Sequence, residues 1–385
     1  MVKLSDIFTL QMGKTPARAK SSYWNDGSNS WVSISDLSTF NKYVGKTKET
    51  ITDLAVVESG IKPVPADTVI MSFKLSLGKT AITVSPVYTN EAIMAFIPNG
   101  KYEVDPNYFY HLFSGRDWTK GTNRAVMGVT LNKATLNDIE VSLPAIAEQR
   151  EIAANLDKVD ELIFLRKQQL EQLEELVKAR FIELFGDPVR NEKEWSRLTL
   201  GDICEIGSSK RVFEKDYVPV GIPFFRTKEI VELSKGNKIS TELFITEEHF
   251  ETLKQAYGVP KKNDLLISAV GTIGTIWIVN GEFEFYFKDG NLIQIKSSEN
   301  FNSVFMKYLL DELIANYKKE MSTGTAYSAL TIAGLKKMLV YDVPLDLQNQ
   351  FAEFVEQTDK LKFEVKQALE KLETLKKALM QKYFG

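Results

Sequence analysis

The feature that most constrains this chain is an internal repeat at a spacing of 199 residues. Residues 160–186 align with residues 359–385, about half of the aligned positions are identical, and both copies close on Phe-Gly. Chance similarity between two helical segments does not reproduce such a terminal pair in register. Fainter matches precede the helices, where Leu4–Ile7 aligns with Leu200–Ile203 and Gly78 with Gly274 at an offset of 196. The sequence therefore predicts two copies of one unit, each a divergent domain followed by a better-preserved helix.

The two preserved segments carry the pattern of long amphipathic helices. Apolar side chains recur at steps of three and four, which is typical of a helix with one buried stripe. Pro144 and Pro344 precede the segments, and Gly186-Asp-Pro188 ends the first. A helix of about 35 residues would span about 50 Å, and so long a stripe favours a partner helix. We expect an antiparallel coiled coil, rather than two helices lying on their own domains, with helix-packing residues Leu156, Val159, Ile163, Leu170, Leu173, Val355, Val365, Leu369 and Leu372.

The divergent parts predict short strands punctuated by Gly, Pro, Asn and Asp, together with helices at Asn107–Phe113 and Ser303–Tyr317. An α+β fold with a mostly antiparallel sheet follows. We expect two tandem α/β domains separated by the long antiparallel helices, with boundaries at 1–143, 144–187, 188–343 and 344–385. The predicted strands are Trp31–Ile34, Thr68–Ser72, Thr80–Val84, Ala92–Ile97, Leu265–Ala269, Gly274–Val279, Phe283–Phe287 and Leu292–Ile295.

Composition and motifs argue against an enzyme. One cysteine, Cys204, and two histidines leave little for a transition-metal site, and the lone cysteine fits a reducing cytoplasm. No apolar run reaches the ~18 residues of a membrane span. Gly78-Lys79-Thr80 lacks the upstream glycine of a phosphate-binding loop. We therefore expect a cytoplasmic chain without a catalytic centre, cofactor, metal or membrane segment.

Charge is unevenly distributed. Residues 1–143 carry 15 basic and 13 acidic side chains, whereas residues 144–196 carry 8 and 12, within a formal net charge of −3. The acidity lies mainly on the central helix. Any contact with nucleic acid must therefore come from local basic patches.

Three segments together resemble the specificity subunits of type I restriction-modification systems. They are the link Leu143–Ile152, the helix ending Phe185-Gly186-Asp-Pro188, and the stretch Trp195–Ile203. These are similar to the family's central conserved region and the opening of its second target-recognition domain, and residues 344–385 resemble its distal conserved region. One departure is the start at Met1, which has no counterpart of Trp195.

The resemblance implies a pseudo-twofold, non-catalytic subunit. Each target-recognition domain would read one half of a split, asymmetric site in double-stranded DNA, and the helices would set the spacer. Two modification subunits that methylate adenine N6 would dock on the chain, and motor-nuclease subunits would join for restriction. S-adenosylmethionine, ATP and Mg²⁺ are expected on those partners.

Such a protein needs cations for phosphates and hydrogen-bonding side chains for bases. The candidates are Lys14, Arg18, Lys20, Lys74, Lys79, Arg124, Lys210, Arg211, Arg226, Lys228 and Tyr327. Arg124 and Arg226 are the preferred base readers, because arginine pairs bidentately with guanine. The alternative is a pseudo-dimeric scaffold that binds only proteins, which the balanced charge favours and the unequal divergence of the two domains disfavours.

Overall fold

The computed structural model describes residues 1–74, 76–118, 124–125, 128–129, 131–322 and 330–385. The chain divides into two units, and neither is simply one half of the sequence. The first unit contains Met1–Lys167 and Gln367–Gly385, and the second contains Gln168–Lys366. Each of the two long helices, α6 (Ile146–Phe185) and α12 (Leu345–Phe384), contributes one part to each unit. Both helices have 40 residues, slightly more than the sequence pattern indicated.

The first unit is a mixed α/β domain with four small sheets rather than one, and the smallest of them is the antiparallel pair of β9 and β10. A four-stranded antiparallel sheet has the order β2-β8-β5-β6, a three-stranded sheet has the order β4-β3-β7 with β3 and β7 parallel, and β1 pairs with β11. The strands are β1 (Val2–Lys3), β2 (Phe8–Met12), β3 (Asn29–Val32), β4 (Glu49–Ile51), β5 (Val69–Ser72), β6 (Thr80–Ile82), β7 (Tyr88–Thr89), β8 (Ile93–Pro98), β9 (Arg124–Ala125), β10 (Gly128–Val129) and β11 (Glu140–Val141), and the helices before α6 are α1 (Leu4–Ile7), α2 (Ile34–Leu37), α3 (Asp53–Ser59), α4 (Pro106–Gly115) and α5 (Lys133–Asn137).

The second unit repeats this topology. Its sheets have the orders β13-β19-β16-β17 and β15-β14-β18, with β14 and β18 parallel, and β12 pairs with β20. The strands are β12 (Arg197–Thr199), β13 (Ile206–Gly207), β14 (Ile222–Phe225), β15 (Phe244–Ile245), β16 (Leu265–Ser268), β17 (Ile276–Ile278), β18 (Tyr286–Phe287), β19 (Leu292–Ile295) and β20 (Leu339–Tyr341), and the helices other than α6 and α12 are α7 (Leu200–Ile203), α8 (Thr227–Ser234), α9 (Glu247–Tyr257), α10 (Ser303–Ser322) and α11 (Ile332–Lys337). The repeat inferred from sequence is therefore a repeat of fold.

Of the predicted strands only Leu292–Ile295 has the observed bounds at both ends, and the predicted strand Phe283–Phe287 is limited to β18 (Tyr286–Phe287). The strand predicted first differs for a local reason. The sequence indicated a strand over Trp31–Ile34, but β3 ends at Val32 and Ile34 begins α2. Ser33 caps that helix, because its hydroxyl accepts from the amide of Asp36 at 3.1 Å and the Asp36 carboxylate accepts from the amide of Ser33 at 3.0 Å.

The core of the first unit includes both long helices. Ile152 and Leu156 of α6 are buried in the same cluster against which Met380 and Phe384 of α12 pack. The ring of Phe384 lies 5.3 Å from that of Tyr108 on α4. Ion pairs join Asp160 to Lys376 at 2.5 Å and Lys167 to Glu373 at 3.6 Å. Because the residue number rises along α6 while that of its partner on α12 falls, the two segments are antiparallel within this unit.

The second unit uses the other parts of the same helices. Phe181 and Phe185 of α6 pack edge-on against Phe351 of α12, with ring centroids 5.4 and 5.6 Å apart. The nine helix-packing residues expected from sequence, which are shared between the two units, are all buried or half-buried. Leu156, Val159, Val355 and Val365 are buried, and the half-buried ones are Ile163, Leu170, Leu173, Leu369 and Leu372.

One glutamine in each unit joins the long helix to its domain. Gln149 is buried, and its amide donates to the carbonyls of Glu103 and Pro144 at 3.1 and 2.9 Å while its oxygen accepts from the amide of Asp105 at 2.9 Å. Gln348, 199 residues later, donates to Val343 at 2.8 Å and accepts from Asn302 at 2.8 Å. Asp105 and Asn302 are the residues just before α4 and α10. The repeated glutamine therefore fixes the angle between two helices in each copy.

Candidate nucleic-acid interface

Parallel pairing of β3 and β7 brings several loops of the first unit to one edge. Because β3 and β7 are parallel, both end at the same edge, where the amide of Asn90 donates to the carbonyl of Val32 at 3.0 Å. Two further loops are held there, since the amide of Lys14 donates to the carbonyl of Thr89 at 2.8 Å and the amide of Phe73 donates to the carbonyl of Ala92 at 3.0 Å. We call the segments 13–20, 73–74, 76–79 and 89–92 the loop edge of the first unit.

The second unit has the same arrangement. The amide of Lys288 donates to the carbonyl of Phe225 at 2.8 Å, and that of Ala269 to Asn291 at 2.8 Å. The hydroxyl of Ser208 donates to the carbonyl of Leu292 at 2.8 Å. We call the segments 208–211, 226–228, 269–275 and 288–291 the loop edge of the second unit.

A buried serine builds the same turn at each loop edge. The hydroxyl of Ser72 donates to the carbonyl of Ser76 and accepts from the amide of Lys79 at 3.0 Å. Ser268 makes the same bonds to Thr272 and to Thr275, the latter at 2.9 Å. Gly78 and Gly274 in these turns have φ of 79° and 85°, a left-handed conformation that favours glycine. The turn frame is thus common to both copies, while the side chains that it presents differ.

Three of the expected cations of the first unit are already paired. Arg18 hydrogen-bonds to Glu49, and its guanidinium lies 3.9 Å from the ring centroid of Trp24. Lys20 pairs with Glu58 and donates to the hydroxyl of Tyr23 at 3.2 Å, while Lys14 donates to the carbonyl of Ser59. A phosphate would have to compete with these partners.

The other cations of the first unit differ in what the structure describes. Lys79 is exposed, and its ammonium makes no hydrogen bond or ion pair to any residue that the structure describes. Lys74 is half-buried, with its ammonium 5.2 Å from the ring of Phe73. The backbone of Arg124 lies in β9, but its side chain is outside the described part of the chain. Lys79 is therefore the most available cation of this loop edge.

In the second unit, Arg211 pairs with Asp289 at 3.0 Å, and Lys210 lies 5.5 Å from the ring of Tyr257. Lys228 pairs with Glu242 at 3.3 Å. Tyr327 lies outside the described residues.

Arg226 has a structural role that the sequence did not reveal. It stands just before α8, and its Nη2 donates to Glu229 at 3.0 Å and to Glu242 at 3.4 Å. Glu229 is almost fully buried, and its hydrogen bond to Arg226 raises the pKa of the guanidinium. The Nε of Arg226 is buried and has no hydrogen-bond partner among the residues that the structure describes. Arg226 therefore compensates a buried carboxylate and keeps a donor free.

Two turns at the loop edges were missed from the sequence. Thr89–Ala92 and Lys288–Asn291 connect the parallel pair to β8 and β19, and they lie between the segments that carry the expected cations. The Asp289-Gly290 dipeptide between two strands was the available signal for the second turn, since such pairs mark tight turns. No comparable dipeptide marks the first.

The described residues contain no group of three or more His, Cys, Asp or Glu side chains that could hold a metal ion. Across those same residues, none of the helices combines the length and apolarity needed to cross a membrane. Cys204 is half-buried and donates to the carbonyl of Leu200 at 3.1 Å, and burial raises the pKa of its thiol to about 12.

Comparison with known proteins identifies the family. The family model described as type I restriction modification DNA specificity domain matches residues 1–175 and 192–376. The chain belongs to this family. The two matched stretches correspond to the two copies of the repeat, so the resemblance noted from sequence is confirmed.

Relatives of the family agree. The type I restriction enzyme MjaIX specificity subunit of Methanocaldococcus jannaschii is 30% identical over 266 residues, which are 64% of this chain and 60% of that subunit. A putative type I specificity subunit of Haemophilus influenzae, S.HindORF215P, is 28% identical over 69% of this chain and 67% of its own length. The match thus spans about three fifths of the length of the first relative.

Solved structures show the same fold. The S subunit of a type I restriction-modification system from M. genitalium has a TM-score of 0.59 at 16% identity, covering 100% of this chain and 95% of that one. A chain from a study of complex assembly and conformational transition of the type I R-M system has a TM-score of 0.64 at 19% identity, covering 99% and 96%. These likenesses confirm the α+β architecture with its two domains and long helices.

Proposed function

We propose that this chain is the non-catalytic DNA-specificity subunit of a type I restriction-modification complex, in which each domain reads one half of a bipartite site. The observation that carries the proposal is the loop edge, which has one backbone frame in both units and unlike side chains. Where Arg18 of the first unit packs on Trp24, the second unit presents Arg211 paired with Asp289. A common frame with different chemistry is what two different half-sites require.

Ion pairing at the loop edges supports selective rather than indiscriminate binding. The carboxylates of Glu49, Glu229 and Asp289 stand beside the cations nearest the turns. A phosphate backbone alone must displace these carboxylates, whereas a base edge can also supply hydrogen bonds to them. Exposed Lys79 remains free to contact phosphate. The proposed division of labour is phosphate contact by lysines and base contact around Arg226.

The long helices would dock the modification subunits. Three apolar pairs that are identical in the repeat are exposed: Leu162 and Leu361, Phe164 and Phe363, Leu176 and Leu375. Positions 162 and 164 project about 100° to either side of half-buried Ile163, so the apolar surface extends beyond the stripe that packs in the coiled coil. Clustered exposed apolar side chains of this kind mark a surface that a partner covers. Two equivalent surfaces favour two copies of one partner, the modification subunit, which would bind S-adenosylmethionine. Motor-nuclease subunits would join for restriction, with ATP and Mg²⁺ on these partners, and the complex would act in the cytoplasm.

The test is methylation mapping. The chain is co-expressed with its modification subunit, and methyladenine is located across the host genome. We expect a split motif with two fixed halves, and a continuous palindrome would contradict two independent readers. Arg226→Ala should relax or abolish one half, and Lys79→Ala should weaken binding without changing the motif.

A matched control uses the opposite end of β18. Lys254 pairs with Glu284, which precedes β18, whereas the loop edge follows it. Lys254→Ala removes a paired surface cation of the same unit and should leave the methylation map unchanged. Equal loss at both halves in Arg226→Ala, with folding intact, would refute the assignment of one half to each domain.

Docking is tested separately. Phe164→Ala and Phe363→Ala remove exposed side chains, so each should leave the chain folded and each should lower the number of modification subunits bound from two to one. Mass photometry of the complex measures that number. Retention of two subunits by the double variant would refute docking on these surfaces.

A further inference from the structure

The second unit contains a cavity at a position where the first unit holds a segment of its own chain. A space of about 900 Å³ lies among α6, α8, α10, α12 and β17, and its walls include Trp277, Tyr308, Asp311, Asp359 and Lys362. It mixes apolar and charged groups, and every wall belongs to the second unit.

In the first unit, the chain itself occupies the matching position. Residues 41–44 run beside β6. The backbone carbonyl of Lys42 accepts from the amide of Ile82 at 2.8 Å, and the amide of Val44 donates to the carbonyl of Ile82 at 2.9 Å. The ammonium of Lys42 binds both oxygens of Asp157 on α6 at 2.6 and 2.7 Å. The hydroxyl of Tyr110 on α4 donates to the carbonyl of Asn41 at 3.1 Å. This segment ties the sheet to both helices.

The second unit has the same residues but not the same contacts. Asn237-Lys238 follows α8 at the position of Asn41-Lys42, at the offset of 196 that also relates the two serine turns. Lys238 is exposed and has no hydrogen bond or ion pair with any described residue. The side chain of Asn237 instead binds Glu232 at 2.8 Å.

The acceptors for a closed segment are in place. Ile278 stands where Ile82 stands in the first unit and pairs with Leu265 as Ile82 pairs with Val69. Because ladder bonds alternate along an antiparallel pair, the amide and carbonyl of Ile278 point away from β16. Glu356 and Asp359 of α12 take the positions of Asp157 and Asp160. The free strand edge at Ile278 and the carboxylate of Asp359 thus border the cavity. Glu356 lies one turn earlier on α12, and the two carboxylates now pair with Lys360 at 2.9 Å and Lys362 at 3.3 Å, so Lys238 would have to compete with these lysines.

We propose that residues 235–243 form a strap that closes over this cavity, with Lys238 reaching the α12 carboxylates and its backbone pairing with Ile278. The strap's first residue already contacts α12, since Lys366 donates to the carbonyl of Lys235 at 3.5 Å. The strap continues directly from α8, which begins after Arg226. Closure would therefore fix the loop edge of the second unit to the long helix, as residues 41–44 fix the first unit's sheet.

Cross-linking and hydrogen exchange test the strap in the full chain. In a Cys204→Ala background, Lys238→Cys with Glu356→Cys should be joined by a short bis-maleimide, more slowly than the positive control Lys42→Cys with Asp157→Cys. The amide of Ile278 should exchange more slowly than an unstructured amide, though faster than that of Ile82.

Lys238→Glu supplies the discriminating variant. Lys238 supports no contact in the open form, so the fold should survive, but repulsion from Glu356 and Asp359 should open the strap and speed exchange at Ile278 several-fold. Ile82 should not change. The proposal is overturned if the cysteine pair never joins while the control pair does, or if Ile278 exchanges as an unstructured amide in the unaltered chain.

Discussion

Replacing Gln149 with methionine tests how each long helix is joined to its domain. The side chains have similar length and volume, so packing changes little, but three partly buried hydrogen bonds to the backbone are lost: those with the amide of Asp105 and with the carbonyls of Glu103 and Pro144. A buried polar group left without a partner costs about 1–3 kcal/mol. Glu103 is exposed, so water can replace the glutamine at its carbonyl, and we expect a loss of about 2–4 kcal/mol for the first unit, mainly from the amide of Asp105 and the carbonyl of Pro144.

Gln348→Met gives an internal comparison, because Gln348 has two backbone partners, Asn302 and Val343, where Gln149 has three. We expect the two variants to cost the same to within about 1 kcal/mol, because the additional partner of Gln149 is the carbonyl of exposed Glu103. Exposed Gln168 on α6 is the matched control, and Gln168→Met should stay within about 0.5 kcal/mol of the unaltered chain.

Hydrogen exchange followed by mass spectrometry is the appropriate assay, because two units need not unfold in one step. Peptides covering α4 report the first unit, and peptides covering α10 report the second. Each variant should accelerate exchange in its own unit and not in the other. A loss below about 0.5 kcal/mol in Gln149→Met would refute the view that this glutamine joins helix and domain.

Three further predictions concern single side chains. Burial alone would raise the pKa of Asp157, but hydrogen bonds from His111 and Lys42 outweigh it and lower that pKa. Asp157→Asn should therefore destabilise the first unit by about 1 kcal/mol at pH 7, and the loss should vanish below the folded-state pKa of Asp157. Urea unfolding at a series of pH values measures this dependence. Burial raises the pKa of Asp311 despite Lys307 at 2.7 Å, so Asp311→Asn should raise the urea midpoint of the second unit at pH 7, with the gain vanishing below about pH 4; a lower midpoint at pH 7 would contradict it. Because burial raises the pKa of Cys204 to about 12, its thiol should resist maleimide at pH 8 in the folded chain and react in urea, and fast labelling of the folded chain would show that it is not buried.

The sequence was most informative where one physical rule acted alone. Apolar periodicity was sufficient for α6 and α12, and alternation with turn residues located β5, β8 and β19 closely. The duplication indicated the shared topology before any strand order was known. Helix and strand positions of this kind are determined by residues close together in the chain, so local sequence patterns are enough to predict them.

The candidate site was harder because its residues acquire their roles from distant partners. Arg226 looked like a free base reader, yet it compensates buried Glu229 and also reaches Glu242, 16 positions away. Arg18 packs on Trp24 and Trp31 and pairs with Glu49. A charge in a sequence does not show whether a carboxylate will stand beside it. The same is true of Lys42 and Lys238, which share a motif and differ in every contact.

The composition of the units has a consequence for synthesis on the ribosome. The first unit includes Met380, Tyr383 and Phe384, which pack on its core, whereas the second unit ends at Lys366. Domains generally fold in the order in which they emerge, with the amino-terminal one first. Here the amino-terminal domain cannot be completed first, because part of its apolar surface stays uncovered until the last turns of α12 have been made. During that interval this apolar surface is a site at which aggregation can begin.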